Sequence, residues 1–214
     1  MTIVQMLMSS VGSVAAPEFI GASCDCGGNE DTLYLSYPAG IESGDLMWIA
    51  TTSRESGSQH PYVPSGWDEL SGDQGFALLR KVATGSESGS LSVSIRDKES
   101  GAVLFVLRNA SATPVDYDWE WSDGQEIPPV APSSVATAPG QIHLIGFSGR
   151  EPGGDFSDST PAGYFAVAPI RTDDGGLAAG YYGVTTAAGA TGGKAMGNDS
   201  DQPFCAWSVI IGAA

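Results

Sequence analysis

The sequence has few positive charges. Only 9 lysines and arginines stand against 25 aspartates and glutamates, so the formal net charge is −16 over 214 residues. Binding to nucleic acid requires clustered cations that displace counterions from phosphates, and anionic membrane surfaces attract the same cations. The chain also lacks a run of 18 apolar residues, about the length that a membrane-spanning helix needs. We therefore expect no nucleic-acid or membrane partner, and an acidic surface that faces solvent or docks on a basic partner.

Cysteine and histidine are scarce, with three and two residues respectively. Cys24 and Cys26 are too close in sequence to close a useful loop, and Cys205 lies in an apolar segment where a buried thiol is expected. This predicts no disulfide framework and fits synthesis in a reducing compartment. The Cys-x-Cys pair, completed by Cys205 or His60, is the alternative of a metal site, but structural zinc sites usually use Cys-x-x-Cys pairs. The first lysine or arginine is Arg54, so a signal peptide and general secretory export are not predicted either.

Catalytic and phosphate-binding motifs are missing as well. A Ser–His–Asp triad needs a histidine beside an activated serine, and no Gly-x-Ser-x-Gly elbow occurs. We interpret His60 and His143 as ordinary surface or half-buried residues. The segment GATGGKAM (189–196) has Ala188 and Ala195 at the two anchor positions of a phosphate loop, so we interpret it as a turn-rich loop without a ligand.

Acidic pairs leave one metal alternative open. Carboxylate and amide oxygens are the ligands that calcium prefers, but no acidic group here has the spacing of an EF-hand. We assign no catalytic residue, no metal ligand and no cofactor, and keep a calcium ion at a loop as an alternative. Its candidate ligands are Asp155, Asp158, Asp173, Asp174, Asn198, Asp199 and Asp201.

What the sequence does contain is short apolar or alternating segments separated by turn residues. With 29 glycines and 13 prolines, and no sustained helical periodicity, this pattern predicts an all-β fold, a β-sandwich or jelly-roll-like domain with little or no helix. The predicted strands are 32–37, 46–51, 76–82, 91–95, 103–107, 142–147, 164–167, 177–184 and 206–211.

Four segments of the first half have counterparts in the second. GDLMWIATTS, VPSGWDEL, GFALLRKVATG and GAVLFVLRNA are echoed by GQIHLIGFSG, STPAGYFAVAP, GLAAGYYGVTTAAGATG and FCAWSVIIGAA, at offsets of 96, 97, 101 and 104. We predict a single sandwich domain at 31–214, built from quasi-repeated halves at about 31–113 and 133–214. Residues 1–30 are an N-terminal arm or a first strand. An acidic, aromatic connector (114–132) joins the halves and is expected to be extended and polyproline-like rather than paired.

Tryptophans mark two further positions. Trp67 follows a Pro-Ser-Gly turn and is interpreted as a core plug at one end of the sandwich, with Tyr164 as its counterpart. Trp119 and Trp121 share one face of an extended segment because side chains alternate with a period of two. Packing on the sandwich or on a neighbouring subunit is the favoured interpretation, and stacking on a sugar is the alternative.

The motifs GDLMWIATTS, VPSGWDEL, LLRKVATGSESGSLSVSI and VLFVLRNASATPVD together resemble a two-repeat β-sandwich family found among the virion genes of tailed bacteriophages. The resemblance spans about residues 41–211. One departure is Leu107-Arg108-Asn109, where Tyr-x-Gly is usual. Asparagine tolerates the left-handed conformation better than most residues, so the turn is expected to survive. The family comprises structural and accessory virion proteins and brings no catalytic residues.

The resemblance implies a non-enzymatic capsid decoration (cement) protein on the exterior of the phage head, made in the cytoplasm of the bacterial host. Its expected partners are the major capsid protein and further copies of itself, as a dimer or trimer. One alternative is a receptor- or carbohydrate-binding module of a head or tail fibre, which would bind a surface glycan through Trp119, Trp121, Tyr62, Tyr181 and Tyr182. A glycan-active enzyme is a second alternative and would need paired acids in a cleft. The predicted partner-binding residues are Ile3, Val4, Met6, Leu7, Phe19, Tyr117, Trp119 and Trp121.

Overall fold

The structure is a computed structural model that describes residues 14–27, 32–52, 62–73, 76–94, 100–122, 130–150, 160–167, 171–173, 176–195 and 204–214. Over these ranges the chain is all-β and contains no helix, as predicted. No helix that could cross a membrane is therefore present in the described part of the chain. The strands are β1 (Glu18–Gly27), β2 (Thr32–Ser36), β3 (Leu46–Thr52), β4 (Asp68–Asp73), β5 (Phe76–Val82), β6 (Ser90–Ser94), β7 (Ser100–Arg108), β8 (Asp116–Ser122), β9 (Val130–Ala131), β10 (Val135–Ala136), β11 (Ile142–Arg150), β12 (Phe165–Ala166), β13 (Arg171–Asp173), β14 (Gly176–Val184), β15 (Gly189–Ala190), β16 (Lys194–Ala195) and β17 (Phe204–Ile211).

Two antiparallel sheets form the body of the molecule. The first has the order β1-β7-β3-β5-β4, and the second has the order β12-β14-β11-β17-β8, with β13 also paired to β14. Alternate residues of both sheets meet in one buried apolar cluster, in which Phe105 of the first sheet contacts Trp207 of the second edge to face, with ring centroids 5.6 Å apart. The sheets therefore pack face to face, which confirms the predicted β-sandwich.

The outer face of each sheet is covered as well. Met47 and Ile49 alternate with the inward-facing residues of β3 and join a second buried cluster, which includes residues of the β2–β6 pair. A third cluster lies on the outer face of the second sheet, where the short pairs β9–β16 and β10–β15 are found. The central strands of both sheets are thus buried on both faces, and this explains their continuous apolar sequences.

The pairing registers align the two halves residue by residue. Leu46 of β3 pairs with Val82 and Leu107, and Ile142 of β11 pairs with Val184 and Ile211. Strand β3 therefore corresponds to β11, β5 to β14 and β7 to β17, with offsets of 96, 102 and 104 residues. The flanking strands follow the same scheme, since β1 lies beside β7 as β8 lies beside β17. We call these halves the first and the second repeat.

Part of the connector differs from the prediction. Residues 116–122 form the edge strand β8, paired along its length with β17, and not an unpaired polyproline-like segment. The physical reason is the alternation of Tyr117, Trp119 and Trp121 with acids, which gives the segment one apolar face. That face packs on the core. Pairing with β8 also gives hydrogen-bond partners to backbone groups of β17 that would otherwise lie unpaired at a sheet edge.

The N-terminal segment contains a strand. Residues 18–27 form β1 at the edge of the first sheet, with a register shift between Phe19 and Gly21. The predicted contact residues Ile3, Val4, Met6 and Leu7 lie outside the described residues.

The turn after β7 behaves as expected from its asparagine. Asn109 has φ of 53°, and it is the one non-glycine residue with positive φ in the described ranges. The left-handed conformation is therefore kept without the glycine that is usual at this position of the resembled family.

Candidate functional site

A chain of polar side chains lies on the outer face of the second sheet, in a layer that is apolar in the first repeat. Alternation along β11 places His143 on this face, at the position that Met47 occupies in β3. In the same way Ser208 of β17 corresponds to Leu104 of β7, because the two residues pair with equivalent positions of β11 and β3. Two apolar residues of the first repeat are thus replaced by two hydrogen-bonding residues in the second.

Four side chains form this polar chain: Ser134, Ser208, His143 and Tyr164. The two serine Oγ atoms are 2.7 Å apart, and Ser208 Oγ is 2.6 Å from His143 Nε2. The other ring nitrogen, Nδ1, is 2.5 Å from the hydroxyl oxygen of Tyr164. A neutral imidazole carries one N–H, so the whole chain of hydrogen bonds runs in one of two directions, set by the tautomer of His143.

Burial keeps this chain uncharged at neutral pH. It lowers the pKa of His143 to about 4, with nearby Lys194 acting in the same direction. Burial also raises the pKa of Tyr164 to about 12. Ser208 is fully buried, and the second nitrogen of His143 faces a phenol rather than a carboxylate. The arrangement therefore lacks the exposed nucleophile and the acid of a Ser–His–Asp triad.

Beside the polar chain lies a pocket of about 310 Å³. The ring of Tyr164 forms part of its wall, and Gly183 lies behind this ring, because a Cβ built on Gly183 would come within 3.0 Å of it. Residues 184–191 and Lys194 also line the pocket. The ammonium of Lys194 donates a hydrogen bond to the carbonyl oxygen of Thr191 at 2.7 Å and lies 5.8 Å from the centroid of the Tyr164 ring. The segment that was expected to be only a turn-rich loop thus lines a pocket.

The equivalent place in the first repeat holds a large buried side chain. Trp67, the counterpart of Tyr164, is 6% exposed and belongs to the buried cluster on the outer face of the first sheet. It was predicted to plug one end of the sandwich, and it is buried, but in this outer layer rather than between the sheets. Lys81 occupies the position of Gly183. The pocket therefore arises where the second repeat carries smaller residues than the first.

An aromatic ladder of Phe19, Tyr182 and Phe165 lies at the edge of the second sheet. Phe19 stacks on Tyr182 with ring centroids 4.1 Å apart, and Tyr182 stacks on Phe165 at 5.2 Å. Phe165, on the edge strand β12, remains 60% exposed. In the first repeat the positions of Tyr182 and Phe165 are taken by Arg80 and Asp68, which form an ion pair at 3.7 Å. Comparing the two repeats at these positions would have identified this ladder from the sequence.

The tryptophans of β8 pack on the sandwich itself. Trp119 stacks on Phe76 of the first sheet at 5.5 Å, and both Trp119 and Trp121 are partly buried against the central core. Tyr117 is 40% exposed. The alternative of a sugar-stacking surface gains nothing from this arrangement, and Tyr181 of that proposed set is buried.

Cysteines and acids give no metal site in the described ranges. Cys24, Cys26 and Cys205 are not in disulfides, and burial raises the pKa of Cys205 well above its ordinary value. No group of three potential metal-ligating side chains occurs among the residues that the structure describes. His60 and the calcium candidates, apart from Asp173, lie outside those residues.

Comparison of the chain with protein-family models, with curated proteins and with solved structures finds no match.

Proposed function

We propose that this chain is a non-enzymatic structural protein of a tailed-phage virion, a decoration protein that binds the exterior of the head and stabilises the shell. The proposal draws on the motifs that resemble the two-repeat virion family. In this function the chain needs a rigid body and a surface that fits a larger assembly. A protein that binds only the assembled shell stabilises that shell by mass action.

The observation that carries the proposal is the aromatic ladder, whose outer member Phe165 is exposed. Where the first repeat has the solvated ion pair of Arg80 and Asp68, the second repeat has Tyr182 and Phe165, with Phe165 60% exposed. Aromatic residues on a preformed support bury large apolar areas at small entropic cost and are enriched at binding hot spots. Phe165 also lies on the edge strand of the second sheet. We infer that this edge contacts the major capsid protein.

Charge favours the same assignment. The chain carries a formal net charge of −16, so its outer surface repels other copies except at dedicated contacts. Basic patches on a capsid would attract such a surface over long range and orient it before the aromatic contact forms. A strongly acidic protein with an exposed apolar residue at one sheet edge is suited to docking on a shell rather than to binding the enclosed nucleic acid.

The test uses two variants at equivalent positions of the repeats. Phe165→Ser removes the exposed ring, and Asp68→Ser changes the counterpart position in the first repeat as the matched control. Purified variants are added to heads that lack the chain, and binding is measured by co-sedimentation. We expect Phe165→Ser to weaken binding at least about tenfold and Asp68→Ser to leave it unchanged. Equal binding of both variants, or no binding of the unaltered chain to heads, would contradict the proposal.

A further inference from the structure

We propose that the pocket of the second repeat binds a small organic monocarboxylate, whose carboxylate pairs with the ammonium of Lys194 and receives a hydrogen bond from the hydroxyl of Tyr164. This site lies on the outer face of the second sheet. It is distinct from the aromatic ladder, because Tyr164 packs against the outer-face cluster, whereas Phe165 stacks on Tyr182, which packs against the cluster between the sheets.

The first argument is that several replacements between the repeats combine at one place. Relative to the first repeat, Lys81 becomes Gly183, Met47 becomes His143, and Trp67 becomes Tyr164. The glycine lets the ring of Tyr164 pack directly on β14, and Tyr164 and His143 bring polar groups to the pocket. A buried polar chain is harder to satisfy than an apolar layer, so its presence beside a pocket points to a binding role.

The second argument is electrostatic. No carboxylate lies within ion-pair distance of Lys194 in the described part of the chain, and the lining of the pocket contains no aspartate or glutamate. Of the three donors of the ammonium, one is used by the carbonyl oxygen of Thr191. Among the described residues the ammonium of Lys194 thus has no acidic partner, on a chain with a net charge of −16. The charge of Lys194 therefore favours an anionic ligand, although the chain as a whole is negatively charged.

The third argument concerns the hydroxyl of Tyr164. When His143 carries its proton on Nδ1, that N–H donates to the tyrosine oxygen, and Ser208 donates its own proton to Nε2. The tyrosine O–H is then free to donate to a ligand. The polar chain therefore supplies a neutral donor beside the ammonium without any change of ionisation.

Size and charge select a carboxylate. The volume of about 310 Å³ is at the lower end of the range of about 300–1,000 Å³ that is usual for small-molecule sites. A phosphate group is generally held by several cations, whereas the described lining has Lys194 and no arginine, which matches one singly charged carboxylate. Ala187, Ala188 and Ala190 provide apolar surface for the rest of the ligand. A hexuronic acid, free or within a polymer, is a member of this class.

The test follows the backbone amides of the full chain and the ring of His143 by NMR during titration with galacturonate, galactose and inorganic phosphate. We expect galacturonate to shift the signals of residues 183–194 and of the His143 ring in a saturable way. Galactose, which lacks the carboxylate, should bind at least about tenfold more weakly, because it removes a charged hydrogen bond. A trigalacturonate then distinguishes a free acid from a polymer as the source.

Two pairs of variants make the test specific. Ala188 lines the pocket and Ala39 lies in an exposed turn of the first repeat, so Ala188→Trp fills the pocket and Ala39→Trp is its control. Lys194→Met removes the ammonium, and Arg80→Met makes the same change of net charge in the other sheet. The pocket variants should lose binding at least about tenfold and the controls should keep it. Absence of saturable shifts, equal binding of galactose or phosphate, or binding retained in Ala188→Trp and Lys194→Met would overturn the proposal.

Discussion

Among the described glycines, Gly146 is the one where an added Cβ would come closest to a neighbouring atom. A Cβ at this position would lie 2.1 Å from Cζ2 of Trp207 and 2.7 Å from the carbonyl oxygen of Ala179. Gly146 pairs with Trp207 across the sheet, and the equivalent pair of the first repeat is Ala50 with Val103. The second repeat therefore combines a smaller residue with a larger one. We predict that Gly146→Ala destabilises the protein strongly and that Trp207→Val partly rescues it.

The magnitudes follow from packing. Overpacking a well-filled core costs about 1–3 kcal/mol, and Trp207 has little room to move because it is 1% exposed and packed edge to face against Phe105. We expect about 3 kcal/mol for Gly146→Ala and about 2–4 kcal/mol for the cavity left by Trp207→Val. In the double variant the valine leaves room for the new methyl group, while the contact with Ala179 remains. The coupling free energy should therefore be about 2 kcal/mol in the favourable direction.

The assay is urea unfolding of the wild type, both single variants and the double variant, followed by tryptophan fluorescence and far-ultraviolet circular dichroism. Ala50→Gly in the first repeat is the control, since it removes a methyl group at the equivalent position and should cost about 1 kcal/mol without coupling to Trp207. Additive free energies in the double variant would refute the inference that Gly146 is required by the indole ring.

Two pH-dependent predictions follow from buried titratable groups. Burial raises the pKa of Glu87, but hydrogen bonds from Thr84 and the pairing with Lys81 at 3.3 Å outweigh this effect and lower it to about 2. The stability that Glu87 contributes is present above its ordinary pKa of about 4.5 and is lost as the pH falls towards 2. In urea unfolding, Glu87→Gln should therefore cost about 2–3 kcal/mol at pH 7 and little at pH 2. The pKa of His143 is lowered from 6.5 to about 4, so the wild type should lose about 3 kcal/mol between these pH values. His143→Met, which restores the Met47 of the first repeat, should remove this loss, and an unchanged pH profile of the variant would contradict the neutral, buried histidine.

The central strands were predictable because their burial on both faces produces continuous apolar segments. The predicted strand 76–82 agrees with β5 at both ends, and the predicted 46–51 differs from β3 by one residue. Strand β4 was missed because its sequence, DELSGD, is polar, and it is held by pairing with β5 rather than by its own pattern. The alternation of Trp119 and Trp121 is visible in the sequence, but the pairing of β8 was missed because the prolines of the connector favour an unpaired segment. In each case a tertiary contact overrides local preference.

The pocket could not be located from single motifs. Ser134 and Ser208 are 74 residues apart in sequence, and His143 and Tyr164 are 21 apart, so only the sheet register brings the four together. The signal that was present is the difference between aligned repeats. His143 is a polar residue at the position where the first repeat has the apolar Met47, and the alternation of the strand predicts that this position is buried.

The most direct test of the proposed function is the position of the chain in an assembled particle, obtained by cryo-electron microscopy of phage particles to which the proposal assigns it. We predict density for this double-sheet body on the outer surface of the head, with the edge at Phe165 against the major capsid protein. Density confined to the tail, a particle without the chain, or contact through the opposite edge of the sandwich would contradict it.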